Sequence, residues 1–440
     1  MGILNALSTA VTGLSAQSYA LENISGNIAN SQTVGFKRVD TSFVDLIPDA
    51  PARHESAGSV GTFSQLTNTL QGSLKSTGIT TNMALNGDGY FTVQSNTGSN
   101  SQPVFSGQNL FTRRGDFQSD ANGYLVNGSG NYLMGSVSGQ GSAPIKLPTT
   151  PLPAKQTGGV TYQANLPLYP KTARADAAVA GSELLDAGLA GGATVSGADR
   201  AAFLGQTIAG GDVTVYDGAG TAVTMQTRWG KTASSAAGGT DTWNLYYQVS
   251  PTATGSAAAW AKVGAATFTP SGALTSASSM TIPSLAINGT TVGPVSVKFG
   301  SGNLTQYGDA GGEMSNGNIQ QDGYSTGTLN GVSVSSDGRV TGSYSNGQIS
   351  TIAQVLVAHF NANDLLKRMD GGSYAQTAES GAPSFGLQGS SLTGGSVEMS
   401  NTDISDEFSK MIVTQQAYSA NTRVMSTAQQ MLQDVINVIR

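Results

Sequence analysis

The chain has 440 residues, of which 38% are apolar and 11% charged, with 58 glycines, no cysteine and a net charge of −6. That length holds two or three domains with cores of their own, and scarce charge beside abundant glycine argues for tight turns and for surface that is covered rather than solvated. The acidic balance without a basic stripe excludes nucleic acid, the missing cysteine excludes disulfides and thiol chemistry, and no apolar run approaches the ~18 residues of a membrane-crossing helix.

The chain opens on a helical pattern. Leu7, Leu14, Leu21 and Ile28 stand seven apart, with Leu4 and Val11 on the neighbouring row, which predicts a helix over 3–30 with one apolar seam. Its other face is Ser, Thr, Asn and Gln rather than Lys and Glu, unusual for a solvated helix. Gly13 and Gly26 inside it each cost about 1 kcal/mol against Ala. Burying each seam residue contributes roughly 1.5–3 kcal/mol, while ordering each residue of the helix costs about 1–2 kcal/mol in backbone entropy. Such a helix is marginal alone and needs neighbours. Glu22 is the only charged side chain before Lys37, so the basic start of a cleavable secretory signal is missing. The expectation is a cytosolic protein, or one exported by a route that uses no such signal.

Residues 33–80 read as a linker with hairpin or extended structure, and beyond them the period changes. Asn-Gly at Asn86, Asn122, Asn127, Asn288, Asn316, Asn330 and Asn346, and Asp-Gly at Asp88, Asp217, Asp322, Asp337 and Asp370, are hairpin signals. They flank strand-like runs such as Tyr90–Val93, Asp212–Tyr216, Leu245–Val249 and Gly331–Val334. Proline at 144, 148, 151 and 153 marks a boundary, and a second is expected near Gly300–Asn303. One β-domain is therefore predicted over 81–150 and 303–398, with a second, 151–302, inserted into it. Within the insert, 172–211 is Ala- and Gly-rich, and Arg200–Leu204 reads as a short helix or a loop.

The chain closes as it opened. Ile404, Met411, Tyr418, Met425, Leu432 and Ile439 repeat the seven-residue spacing, with Phe408 and Ile436 beside them, which predicts a helix over 404–440. Asp403 is placed as its N-cap and Asp406 at the capping-box position. The fold class expected is mixed α and β and multidomain. Terminal helices (1–32 and 399–440) form a coiled-coil-like inner domain that joins copies of the chain, and two mainly-β domains are nested between them.

Catalytic and metal readings are thin. His54 and His359 lie far apart with no cysteine to complete a metal set. Asp120-Ala-Asn122-Gly123 resembles part of a calcium loop, but no closing Glu follows. Asp116 and Asp120 are carboxylate neighbours of the kind a glycosidase uses, yet they fit hairpin acids better. No enzyme activity, metal or cofactor is expected.

The stretch Ala20–Arg38 resembles the signature of the bacterial flagellar rod and hook family through Asn27, Ala29, Asn30, Thr33, Gly35, Phe36 and Lys37, with Val34 where the family often has Pro. Leu85–Phe91 is similar to that family's conserved hairpin, Phe111–Phe117 with Asp120–Leu125 to its next element, and Gln415–Asn421 with Met431–Arg440 to its terminal helix. The insert, with Asp212–Trp229 and Trp243–Val249, is similar to the outer domain of the hook-type members.

The resemblance implies a structural subunit that polymerises into a short curved tube and passes motor torque from rod to filament. The seam residues Leu4, Leu7, Val11, Leu14, Leu21, Ile28, Ile404, Phe408, Met411, Tyr418, Met425, Leu432, Ile436 and Ile439 would form the polymerisation interface. The terminal helices would line the tube, the 81–150/303–398 domain its wall and 151–302 its outside. Implied partners are further copies of the chain, the rod, hook cap and hook–filament junction proteins, and the flagellar export apparatus, with location at the extracellular hook and basal body. Alternatives are a junction or distal rod protein and, in another class, a secreted β-rich carbohydrate-active enzyme or adhesin. The adhesin-like reading explains the turns but not the terminal heptads.

Overall fold

The structure, a computed structural model, describes residues 2–46, 59–98, 103–137, 141–300 and 302–439; His54 lies outside them. The chain divides into two compact units, one built from 1–149, 329–343 and 349–440, the other from 150–328 and 344–348.

In the first unit the opening pattern is a helix, α1 (Gly2–Ala29), and the closing one a helix running from Ile404 to Ile439, which we number α4. Asp403 caps α4 by accepting the N–H of Ser405 at 2.8 Å and of Asp406 at 3.3 Å, and Asp406 and Glu407 place negative charge at the positive end of the helix dipole. The Asn30 amide donates to the Gly26 carbonyl at 2.9 Å where α1 ends. The chain then enters a hairpin, β1 (Val39–Leu46) and β2 (Ser59–Leu66), paired Val39 to Leu66 through Leu46 to Ser59. One face of the hairpin lies on α1 through Asn23 to Thr41 (2.8 Å) and Tyr19 to Ser64 (2.6 Å).

Two short strands follow, β3 (Leu74–Ser76) and β4 (Met83–Asn86), and both pair with C-terminal chain: β3 with 396–398 and β4 with 391–394. Next, β5 (Tyr90–Ser95) joins a large sheet, flanked by 110–112 and 131–136. Its core includes Met83, Leu85, Phe91, Phe117, Leu133 and Val340, all fully buried, with a satellite of Tyr90, Phe111, Phe360 and Tyr374.

The second unit holds two five-stranded sheets around one core. One sheet runs 279–287, 290–298, 159–167 and 304–307, with 315–321 also on 159–167; the other runs 194–196, 258–267, 242–248, 222–233 and 208–216. Trp229 donates its indole N–H to the Tyr162 hydroxyl at 2.9 Å at the centre, and both rings meet Phe299. Inside 172–211 the chain makes α2 (Ala187–Ala190) and α3 (Arg200–Gly205), so the Arg200–Leu204 segment is helix rather than loop.

Two expectations need correcting. Residues 303–328 go with the second unit and not with the 81–150 domain, because 304–307 and 315–321 both hydrogen-bond to 159–167. Several turn dipeptides are also not hairpins. Asn316-Gly317 and Asn330-Gly331 lie inside strands 315–321 and 329–334. The Asn86–Gly89 turn links β4 and β5, which pair with other strands and not with each other. Asn-Gly tolerates a left-handed or bulged backbone wherever one is needed; Asn316 has φ 54° within its strand, beside a register shift. Asn288-Gly289 is the expected two-residue hairpin turn, between 279–287 and 290–298.

Candidate assembly surface

The signature segment that ends α1 is an intramolecular joint. Asn27, buried, donates its amide to the Val39 carbonyl at 3.0 Å and to Glu407 Oε2 at 2.9 Å, while its own carbonyl accepts the Val39 N–H at 2.9 Å. One side chain therefore fixes α1, β1 and α4 together. Thr33 donates to Asn30 Oδ1 at 3.1 Å inside the turn, and Ala29 sits exposed at the helix end. Gly35 has φ 68°, and a Cβ there would sit 2.6 Å from the Arg114 backbone nitrogen, so both conformation and space demand glycine. Phe36 is buried under the Arg368 guanidinium, 5.0 Å from the ring centre.

Lys37 ends in a buried charge knot. Its ammonium donates to Glu398 Oε1 at 2.6 Å and to the Leu70 carbonyl. The same Oε1 accepts the Gly72 N–H at 2.8 Å, Oε2 faces Arg113 Nη1 at 3.4 Å, and the Glu398 carbonyl accepts the Gly35 N–H at 2.7 Å. Burial drives the Lys37 pKa below the usual lysine value, against the opposing pull of Glu398. Breaking such a pair strands a buried charge, at a cost of about 3–5 kcal/mol. Three residues on, Asn401 accepts the Arg38 N–H at 2.8 Å and donates to Thr67 and Leu70. Segment 391–407 is thus a clasp across the N-terminal 27–87.

The two long helices pair antiparallel. A Cβ on Gly13 would lie 3.0 Å from the Asn421 amide, Ala20 and Thr414 line one groove, and Asn27 bonds Glu407. These rungs recur at seven-residue steps on both helices, as the heptads require, but in another phase. The positions that bury are Ala10, Gly13, Ala16, Ala20, Ile24 and Asn27 on α1, and Glu407, Thr414 and Ala428 on α4. Ile24 apart, the seam within the subunit is small or polar.

The other large apolar side chains fall outside it. Leu7, Leu14, Leu21, Ile28, Met411, Met425 and Leu432 are half-buried at its edges. Leu4 (62% exposed), Val11, Ile404, Phe408, Tyr418 and Ile436 (60%) face outward, joined by Ile412, Val413 (65%), Val424, Met431 and Val435, which sequence reasoning passed over. The side chain of Ile439 is outside the described residues. The far face of the hairpin adds Val44, Leu46 and Phe63. Exposed apolar area on this scale makes this face a candidate interaction surface.

Sequence reasoning also missed Glu398, Glu407, Arg113 and Asn401 as structural keys. With Asp and Glu together only 27 in 440 residues, a solitary acid in an apolar run such as Ser396-Val-Glu398-Met was the available signal. The candidate catalytic groups are otherwise occupied. Asp116 pairs with Arg114 through both oxygens (2.8 and 2.9 Å), Asp120 accepts the N–H groups of Asn122 and Tyr124, and His359 bonds the Gly386 carbonyl at 2.8 Å. Among the described residues no acid, His or Cys cluster could hold a metal, and no helix is long and apolar enough to cross a membrane.

Comparison with known proteins agrees along the chain. Residues 7–37 match the flagella basal body rod protein family, 84–162 the flagellar hook protein FlgE/F/G D1 domain, 209–324 the flagellar basal body protein FlaE D2 domain, and 393–438 the flagellar basal body rod FlgEFG protein C-terminal family. The chain is 31% identical to the flagellar hook protein FlgE of Salmonella typhimurium over 98% of this chain and 99% of that one. It is 30% identical to that of Escherichia coli over 98% and 100%, and 29% to that of Brucella abortus over the whole of both chains. It is also similar to a crystal structure of Helicobacter pylori flagellar hook protein FlgE2, at TM-score 0.49 and 14% identity over 72% of this chain and 98% of the other, a likeness too distant to argue from. With relatives matched end to end and each family model falling on its own segment of the fold, the chain belongs to the flagellar hook protein family.

Proposed function

We propose that this chain is the structural subunit of the flagellar hook, that it polymerises into a curved tube, and that its role is mechanical and not enzymatic. One observation carries the assembly reading: between α1 and α4 the buried residues are, Ile24 apart, small or polar, while many large apolar side chains of both helices face away. Each exposed side chain of this size gains roughly 1.5–3 kcal/mol on full burial, and a neighbouring helix pair supplies that burial in every repeat of a tube. Tubes follow from one subunit type when different patches meet head to tail without closing.

In this reading the clasp and the Asn27 clamp transmit force between the two chain ends within a subunit, while the apolar outer faces hold neighbours together. The terminal helices line the tube in a coiled-coil-like layer. Rod, hook cap and junction proteins meet the ends of the tube, and the subunit arrives through the flagellar export apparatus.

Electron microscopy of the purified full-length chain tests the core of this. Tubes of uniform diameter are expected; a protein that stays monomeric at all concentrations and salts overturns the reading.

A further inference from the structure

We infer that the groove between β1 and α4 of one subunit receives the Arg423–Val424 turn of α4 from a neighbouring copy. The inference rests on the self-assembly reading and names the contact that propagates it.

The groove, of about 330 Å³, is floored by Ala20 and Ile24 of α1 and walled by Phe43 on one side and Lys410 and Thr414 on the other. Its inner charges are matched, since Lys410 spans Asp40 at 3.0 Å and Glu407 at 2.8 Å. Its rim is not. Phe43 is 47% exposed, and Asp45, two residues along the same strand and so on the same face, is exposed with no ion partner among the described residues. A groove with apolar floor and Phe43 wall, and an unmatched carboxylate two residues along that wall's strand, fits an occupant with an aliphatic body and a cation.

The terminal helices offer one. Helix α1 contains no Lys or Arg, and Lys410 of α4 is already paired within its own subunit. Arg423 is exposed and has no carboxylate partner among the described residues, and Val424 beside it is 49% exposed. Arg423 lies thirteen residues along α4 from Lys410, about 20 Å at 1.5 Å per residue, so a subunit cannot fill its own groove with this turn. Donor and acceptor are different patches of one chain, the heterologous geometry that runs on into a helix.

Charge exchange tests it on the full-length chain, with critical concentration for tube formation read by sedimentation and electron microscopy. Asp45→Arg and Arg423→Asp are each expected to raise the critical concentration roughly 10-fold or more, the equivalent of about 1.4 kcal/mol. The double exchange is expected to bring it back to within about 3-fold of the parent, less than half of that energy. Both side chains are exposed, so circular dichroism of each monomer is expected to match the parent. Singles that assemble like the parent, or a double variant no better than either single, overturn the contact while leaving self-assembly standing. Rescue of Arg423→Asp by Glu22→Arg in place of Asp45→Arg overturns the choice of Asp45. A parent chain that makes no tubes overturns the self-assembly reading itself.

Discussion

Asn27 and Glu407 stand 380 residues apart in the chain and meet at 2.9 Å in the fold. The contact is buried on both sides, and Asn27 spends its remaining hydrogen bonds on the Val39 backbone. This explains its position in the signature segment, where it sets the angle at which the hairpin leaves α1 while α4 passes. An amide suits that position because it donates and accepts at once, which no isosteric apolar or charged side chain does.

Asn27→Ala is expected to destabilise the first unit by about 1–3 kcal/mol, the cost of leaving the half-buried Val39 backbone and the buried Glu407 carboxylate short of partners. Asn27→Asp is expected to be worse, since it sets a second carboxylate against Glu407. Hydrogen exchange at the Val39 amide checks both, and unchanged protection in Asn27→Ala would show that the clamp is incidental.

The Lys37–Glu398–Arg113 knot gives an ordering. Lys37→Met leaves Glu398 facing Arg113 and the Gly72 N–H, whereas Glu398→Gln leaves two buried cations without a counter-charge. Glu398→Gln is expected to cost the larger amount, toward the upper end of about 3–5 kcal/mol. Urea unfolding followed by circular dichroism, with exchange at the Gly35 and Gly72 amides, measures it. The reverse order would mean that Arg113 draws its compensation from the Gly87 carbonyl at 2.7 Å rather than from Glu398.

How much of this could be read from sequence divides along physical lines. The two long helices, 2–29 and 404–439, follow from seven-residue spacing and an unbroken absence of proline, and the Asp403 cap from its place before the pattern. The phase of the seam does not follow. Large apolar residues mark a periodic face, but the face α1 turns to α4 takes the small residues Ala10, Gly13, Ala16 and Ala20, which permit close approach of two backbones. The charge knot was illegible because its members, Lys37, Arg113 and Glu398, are spread over more than 360 residues, and only pairing of β3 and β4 with 391–398 brings them together. The boundary at 328 was missed because 304–307 and 315–321 are short strands with no alternation strong enough to name their sheet.

The second unit carries a pH prediction. Lys231 Nζ and Asp241 Oδ1 pair at 2.9 Å, both almost fully buried, and Ser235 donates its hydroxyl to Asp241 at 2.7 Å. Burial pushes the Asp241 pKa up, but the bonds from Lys231 and Ser235 outweigh it and hold the group below the usual carboxylate value of 3.8. A depressed folded pKa means the stabilisation is complete above that value and is lost as pH falls through the folded one. The second unit is therefore expected to weaken below about pH 4, and Asp241→Asn to flatten that part of the curve. The same variant is expected to cost about 3–5 kcal/mol at neutral pH by stranding Lys231. All three tryptophans of the chain, Trp229, Trp243 and Trp260, lie in this unit, so their fluorescence reports it alone. Acid curves of equal slope for parent and variant would assign the acid response to other carboxylates.

Two adjacent residues on α4 separate the inner seam from the outer face. Val413 is 65% exposed, whereas Thr414 is buried against α1 and donates its hydroxyl to the Lys410 carbonyl at 2.8 Å. Thr414→Lys sets a second cation beside Lys410 in the seam against α1. The helix pair is expected to separate in the monomer, seen as loss of amide protection over α1. Val413→Lys puts the same charge on the outward face, where a monomer solvates it at little cost but a neighbouring subunit cannot. Its monomer is expected to keep α1 protection and its melting temperature, while tubes are lost, since an unpaired charge buried in every repeat costs several kcal/mol per subunit. Equal damage to the monomer from both substitutions would show that Val413 packs within its own chain. Normal tubes from Val413→Lys would remove this face of α4 from the assembly surface.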